Sequence, residues 1–66
     1  MDMKDQIRRL QKDGEFRFEG MSREESQKAA EELARAAQLD DRKHGIESRF
    51  GVMRDAFGYY SAVQMN

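Results

Sequence analysis

His44 is the single histidine of this 66-residue chain, and it is the one side chain whose ordinary pKa suits proton transfer near neutral pH. A nucleophile paired with it would have to be a serine, because the chain has no cysteine. The serines lie at positions 22, 26, 48 and 61, and none shows a pattern that indicates such a pair. His44 itself ends a polar run, LDDRKH, which is typical of an exposed loop or a helix start. We therefore expect no catalytic residues and no enzyme activity.

The residue composition also disfavours metal and cofactor sites. Without cysteine there is no thiolate zinc site, and one histidine nearly excludes a histidine-based site within one chain. Acidic residues are abundant, but the sequence contains no EF-hand loop, no glycine-rich phosphate loop and no HEXXH pattern. The sequence predicts no metal, no cofactor and no small-molecule substrate.

Basic residues are the remaining candidates for ligand contacts. Lys and Arg number 12 against 13 Asp and Glu, which gives a formal net charge of −1. Domains that coat nucleic acid are usually clearly basic, so this balance disfavours that role. A local cluster could still touch phosphates, although Asp40, Asp41 and Glu47 dilute it. The candidate nucleic-acid contacts are Arg17, Arg42, Lys43 and Arg49.

The elements that would position these residues are predicted from hydrophobic periodicity. A first helix over residues 2–12 has Asp2 as its N-cap and ends at the Asp13-Gly14 turn. A short strand follows over residues 15–19. The capping box that begins at Ser22 opens a helix over residues 23–38, whose buried stripe is rich in alanine. The last element is a helix over residues 42–63. The predicted fold is mostly α, a single α-β-α-α domain over residues 1–66 with one short strand.

The last helix is predicted from its apolar spacing. Ile46, Phe50, Met53, Phe57 and Tyr60 are four, three, four and three residues apart, which places them on one side of a helix. A chain of 66 residues has too little surface of its own to bury so large an apolar stripe. A second subunit would bury the remainder, so the sequence favours oligomerisation. The residues expected to be shared between the core and a homodimer interface are Phe16, Phe18, Ile46, Phe50, Met53, Phe57 and Tyr60.

The segment EFRFE alternates polar and aromatic residues, which indicates a half-buried strand with Phe16 and Phe18 facing inward. No second strand is expected, so its backbone groups would lack partners. The strand would pair with its copy in a second subunit or add to the sheet edge of a different protein. The third alternative is an extended linker. We favour the first, and with it a homodimer.

A partner interface is predicted on the side of the last helix away from the main stripe. Gly51 and Gly58 lie seven residues apart there and would allow close backbone approach. Tyr59, Arg54 and Asp55 lie beside them, and tyrosine and arginine are frequent energetic anchors of interfaces. The alternatives are that the two glycines are simply tolerated or that the helix breaks near Gly58, and that Tyr59 completes the core.

Two DNA-binding families share features with the predicted elements. The order strand, capped helix, turn and helix over residues 15–63 resembles a ribbon-helix-helix, although its outward strand residues, Glu15, Arg17 and Glu19, are mostly acidic. The segment from Leu33 to Leu39, followed by Ile46 and Phe50, resembles a helix-turn-helix with a longer interval and without the usual glycine. Either resemblance implies a dimeric transcriptional regulator that binds DNA.

The favoured function is a non-catalytic protein-protein interaction module, a small regulator, inhibitor or adaptor that docks on a partner protein. The DNA-binding regulator is the alternative. Small, charge-balanced helical proteins without cysteine are common among phage and mobile-element regulators. The charged N-terminus is no signal peptide, and no apolar run approaches the roughly 20 residues of a membrane span. We expect a cytoplasmic protein.

Overall fold

The computed structural model describes residues 2–65. Two helices and three strands follow one another in the order α1 (Met3–Asp13), β1 (Glu15–Arg17), α2 (Arg23–Lys43), β2 (Phe50–Arg54) and β3 (Tyr60–Gln64). The strands form one antiparallel sheet in the order β1-β3-β2. The fold is therefore mixed α/β, and the prediction of a mostly α fold with a single strand is wrong.

Each helix begins at a side-chain cap. Asp2 Oδ1 accepts a hydrogen bond from the Asp5 amide at 2.9 Å, and Ser22 Oγ accepts one from the Glu25 amide at 3.1 Å. α1 ends where Gly14 adopts a left-handed φ of 78°. α2 continues past the predicted end at residue 38 to Lys43.

The contact between the helices includes a polar cluster at the C-terminal end of α2. Gln11 Nε2 donates hydrogen bonds to Asp40 Oδ2 at 2.8 Å and to Asp41 Oδ1 at 2.7 Å. Asp41 is buried, so this amide satisfies a carboxylate that the helix would otherwise bury without a partner. The side chain of Gln11 thus fixes the C-terminal end of α2 against α1.

The predicted helix over residues 42–63 is wrong. Its first two residues end α2, and most of the remainder forms the β2–β3 hairpin. The register pairs Phe50 with Gln64, Val52 with Ala62 and Arg54 with Tyr60. Asp55 and Gly58 of this segment suit a turn between strands better than a helix interior.

The strand at residues 15–17 has a partner in its own chain. Phe16 lies opposite Ala62 of β3, and Glu15 and Arg17 lie opposite Val63 and Ser61. The prediction of a lone strand, paired across a homodimer, is therefore wrong. The partner strand, β3, lies in the segment whose apolar spacing predicts a helix.

The core lies between the two helices and one face of the sheet. Leu10 and Leu33 are fully buried, and the alanine stripe of α2 lets the sheet approach the helix closely. Phe18 is buried beside Phe16, with their ring centroids 5.0 Å apart. The partly buried residues that pack against this core include Ile7, Phe16, Phe50, Val52 and Tyr60.

Three residues predicted for the core or dimer interface are exposed. Ile46 and Met53 are each 52% exposed and Phe57 is 73% exposed. Helical spacing placed them on one face with Phe50 and Tyr60, but strand geometry separates them. Phe50 and Tyr60 face the helices, whereas Met53 points to the opposite face of the sheet and Phe57 lies in the hairpin turn.

Ser26 joins α2 to the sheet and is the basis of a first prediction. Its hydroxyl is fully buried, donates to the Arg23 carbonyl at 2.7 Å and accepts from the Tyr60 amide at 3.1 Å. Ser26→Ala leaves that amide without its partner, so we expect a loss of about 1–3 kcal/mol in the free energy of unfolding. Urea denaturation followed by circular dichroism measures it. Lys28→Ala, at an exposed position of the same helix, is the control, and equal effects of the two changes would contradict the prediction.

Candidate protein-docking site

The turn between β2 and β3, residues 55–59, is named here the hairpin tip. The Asp55 amide donates to the Tyr59 carbonyl at 2.9 Å, and the Gly58 amide donates to the Asp55 carbonyl at 3.1 Å. Gly58 has a φ of +91°, a conformation that residues with a side chain rarely adopt. Asp at the first position of a turn and Gly at the fourth are typical of a type I turn that closes a hairpin.

The Asp55 carboxylate orders the hairpin tip from inside. Its Oδ1 accepts hydrogen bonds from the Phe57 amide at 2.8 Å and from the Tyr59 amide at 3.0 Å. Its Oδ2 lies 3.8 Å from Arg17 Nη2 of β1. The Tyr59 amide is the main reason that the pKa of Asp55 is below its usual value, and the other turn amides and Arg17 add to the effect.

This lowered pKa makes the hairpin tip sensitive to acid. A carboxyl whose pKa falls on folding stabilises the native state above its unfolded pKa, and that contribution is lost as the pH drops through the folded value. We therefore expect Asp55→Asn to lower the Tm at pH 7, and the difference from the wild type to shrink below about pH 4. Thermal melts at several pH values test this. Glu19→Gln controls for the change in net charge, and a difference that stays constant with pH would refute the prediction.

Arg23, in the first turn of α2, holds the hairpin tip against the helix. Its Nε donates to the Phe57 carbonyl at 2.6 Å, and its guanidinium carbon lies 5.5 Å from the centroid of the Tyr59 ring. The second distance is within the range of a cation–π contact. The backbone of the turn is therefore fixed from two sides, by Asp55 within it and by Arg23 beside it.

The side chains at the hairpin tip remain largely in solvent. Phe57 is 73% exposed and Tyr59 is 39% exposed. A cleft runs between the hairpin tip and the segment that follows β1, and exposed Met21 lies on its far wall. Polar residues of the cleft include Arg17, Glu19 and Asp55. A rigid backbone that presents exposed aromatic side chains suits binding to an apolar surface.

The predicted partner interface is largely brought together here, though on a hairpin instead of a helix. Asp55, Gly58 and Tyr59 belong to the hairpin tip, and Arg54 ends β2 next to it. Gly51 lies elsewhere, towards the other end of β2, where its missing side chain leaves room for Met65. Sequence reasoning assigned Phe57 to the core and overlooked Met21 and Arg23. The Asp55 and Gly58 turn signal would have identified the exposed position of Phe57.

The candidate nucleic-acid contacts do not share one surface. Arg42 and Arg49 line one cavity with Glu47, at the end of α2 and the start of β2. Lys43 is exposed in the last turn of α2. Arg17 lies near the opposite end of the strands, beside Asp55.

The fold also removes the basis of both DNA-binding resemblances. A ribbon-helix-helix requires two helices after its strand, whereas here one helix and a hairpin follow. A helix-turn-helix requires a turn near Gln38, but α2 is unbroken through Lys43.

His44 caps the C-terminal end of α2 and is exposed. Its Nδ1 lies 2.8 Å from the Asp40 carbonyl oxygen and 3.9 Å from Asp40 Oδ2. These contacts tie it to its own helix and provide no nucleophile. Within residues 2–65, no group of three or more His, Asp or Glu side chains lies close enough to hold a metal ion.

Neither helix in the described part of the chain combines the length and apolar character that crossing a bilayer requires. The chain matches no known family model, no curated protein and no solved structure.

Proposed function

We propose that the chain is a non-catalytic protein-binding module, a small regulator that docks on a partner protein through the hairpin tip. Phe57 is the main anchor and Tyr59 the second. The mechanism is steric. The bound hairpin tip occupies a cleft on the partner protein and either excludes other ligands from that cleft or links the partner to another protein.

The exposure of Phe57 on an ordered turn is the observation that carries this proposal. A phenylalanine that is 73% exposed forgoes most of the free energy that burial would provide, about 1.5–3 kcal/mol. Single exposed apolar residues are common, but this one is accompanied by Tyr59 and Met21 along one cleft. Since the turn is already fixed by its hydrogen bonds, binding would lose little backbone entropy.

The chemistry of the hairpin tip defines the partner surface. An apolar pocket large enough for one aromatic ring would receive Phe57. The guanidinium groups of Arg23 and Arg17 lie beside the aromatic residues, so carboxylates on the rim of that pocket would complement them. Such a partner is a folded protein with an acidic rim around an apolar cleft.

Affinity capture from the native host with matched variants tests the proposal. Wild type, Phe57→Ser and Tyr59→Ser are compared with Ile46→Ser, which removes an exposed apolar side chain near the opposite end of β2. We expect one protein to be retained by the wild type and by Ile46→Ser, and lost with both hairpin-tip variants. Retention of the same proteins by all four would contradict the proposal. So would a captured species that disappears on nuclease treatment or falls steeply with salt, as nucleic acid does.

A further inference from the structure

β2 is an edge strand of the sheet, and on its free side the Phe50 amide donates to Gln38 Oε1 at 3.3 Å. It pairs with β3 on one side, and no strand within residues 2–65 lies on its other side. The Met65 amide bonds to the Arg49 carbonyl and the Asp55 amide to the Tyr59 carbonyl, so the odd-numbered residues of this segment bond to β3. The backbone groups of Val52 and Arg54 therefore point outward. The strand FGVMR has no proline and no bulge to block pairing by another strand.

The flank of α2 above this edge carries an ordered pattern of charge. Arg23 at its start is bound to the Phe57 carbonyl of the hairpin tip. Beyond Arg23, the N-terminal half of the flank presents carboxylates and the C-terminal half presents guanidinium groups. The polar residues after Arg23 that line the cavities beside β2 are, in chain order, Glu24, Gln27, Glu31, Arg35, Gln38 and Arg42. Such a surface is complementary to an antiparallel copy of itself.

We propose that a second copy of the chain pairs on this edge, β2 against β2 in antiparallel orientation, with a two-fold axis beside Val52. The result is a continuous six-stranded sheet with two copies of α2 side by side. Val52 would exchange backbone hydrogen bonds with the partner subunit's Val52, and the Phe50 amide would exchange its bond to Gln38 Oε1 for one to the carbonyl of the partner subunit's Arg54. Phe50 would lie opposite the partner subunit's Arg54 on the helix side of the sheet, where a guanidinium can stack on the ring.

The relative position of helix and strand brings opposite charges together across this axis. Ser26 Oγ accepts from the amide of Tyr60, which lies opposite Arg54, so Ser26 is level with Arg54. Gln38 Oε1 accepts from the amide of Phe50 at 3.3 Å, so Gln38 is level with Phe50. Val52 is midway between Phe50 and Arg54, and the part of α2 at its level therefore lies near residues 32 and 33. A two-fold axis there sets Glu31 against the partner subunit's Arg35. It sets Glu24 against the partner subunit's Arg42.

The spacing of the layers allows these contacts. α2 packs over both β2 and β3, and neighbouring strands are about 4.8 Å apart. The two copies of α2 would then lie about 10 Å apart, the distance of directly packed helices. Leu39, which is 51% exposed in the single chain, would be covered at the same time.

The proposal is independent of the docking function. Antiparallel pairing places the two hairpin tips at opposite ends of the dimer and leaves both free. Failure of the dimer would leave the hairpin tip as proposed, and failure of the docking function would leave the dimer.

Charge reversal across the axis tests the dimer. Sedimentation equilibrium over micromolar to millimolar protein gives the dimer Kd for the wild type, Glu31→Arg, Arg35→Glu and the double variant that exchanges both charges. Each single change sets like charges against each other at two symmetric places, so we expect Kd to rise about tenfold or more. The exchange restores complementarity and recovers most of the affinity. Glu32→Arg makes the same charge change one residue away, at a position that does not line the cavities beside β2, and serves as the control.

Hydrogen exchange at the Val52 amide provides the second measurement. In the proposed dimer this amide is bonded across the axis, so its exchange slows as the wild-type protein is concentrated. A chain that stays monomeric over the whole range overturns the proposal, as would be found if this edge received a strand from a different protein. Three other results also overturn it. They are a dimer Kd that is the same in both single variants as in the wild type, a double variant that fails to recover the affinity, and Val52 exchange that does not change as the dimer forms.

Discussion

Replacing Phe57 with serine is expected to weaken binding to the partner protein by about thirtyfold or more, because buried aromatic anchors of interfaces cost about 2 kcal/mol or more when truncated. The same change should leave the Tm of the free chain unchanged or slightly raised. Phe57 is 73% exposed, so the folded chain gains little from its side chain. Isothermal titration calorimetry with the purified partner gives the Kd, and a thermal melt gives the Tm.

Ile46→Ser is the matched control for this prediction. Ile46 is 52% exposed and precedes the start of β2, at the end away from the hairpin tip. We expect its removal to change the Kd less than about threefold, as for a residue outside an interface core. Equal weakening by the two variants would show that general surface hydrophobicity drives binding. A fall in Tm with Phe57→Ser would show that the residue is structural.

Replacing Leu33 with alanine is expected to lower the free energy of unfolding by about 2–5 kcal/mol. Leu33 is 0% exposed and lies where α2 meets both the sheet and the other core residues. Small domains have only about 5–15 kcal/mol of stability in total, so this loss would leave the fold marginal. Urea denaturation at low protein concentration measures it without a contribution from association.

Ile46→Ala separates the observed fold from the helical alternative for residues 42–63. In that alternative Ile46 is part of the buried stripe, and its loss would cost as much as that of Leu33. In the observed fold Ile46 is exposed, so we expect a change within about 0.5 kcal/mol. Comparable destabilisation by the two alanine variants would contradict the hairpin.

The elements with local end signals could be predicted from the sequence. Asp2 and Ser22 are side-chain caps in the structure, and the helices begin next to them as expected. Residues 45–63 could not be predicted from apolar spacing, because Phe50, Met53 and Phe57 fit a helical period while Asp55 and Gly58 fit a turn between two strands. Tertiary pairing with β1 decides between them, and helical periodicity cannot represent that pairing.

The candidate site could be predicted in part for a simple reason. Asp55, Gly58 and Tyr59 are neighbours in sequence, so they stay together on a helix or on a turn. The predicted helix does not indicate that the turn projects Phe57 into solvent. It also does not indicate that Arg23, which is distant in sequence, packs on Tyr59. Those features depend on where the hairpin meets α2.

Site-specific photo-crosslinking in the native host cell tests the docking function most directly. A photoreactive phenylalanine analogue is placed at position 57, at position 59 and, as a control, at the exposed position 4 on α1. The proposed function predicts one protein crosslinked from positions 57 and 59 and absent from position 4. Crosslinks to the same protein from all three positions, or to nucleic acid from the hairpin tip, would contradict it.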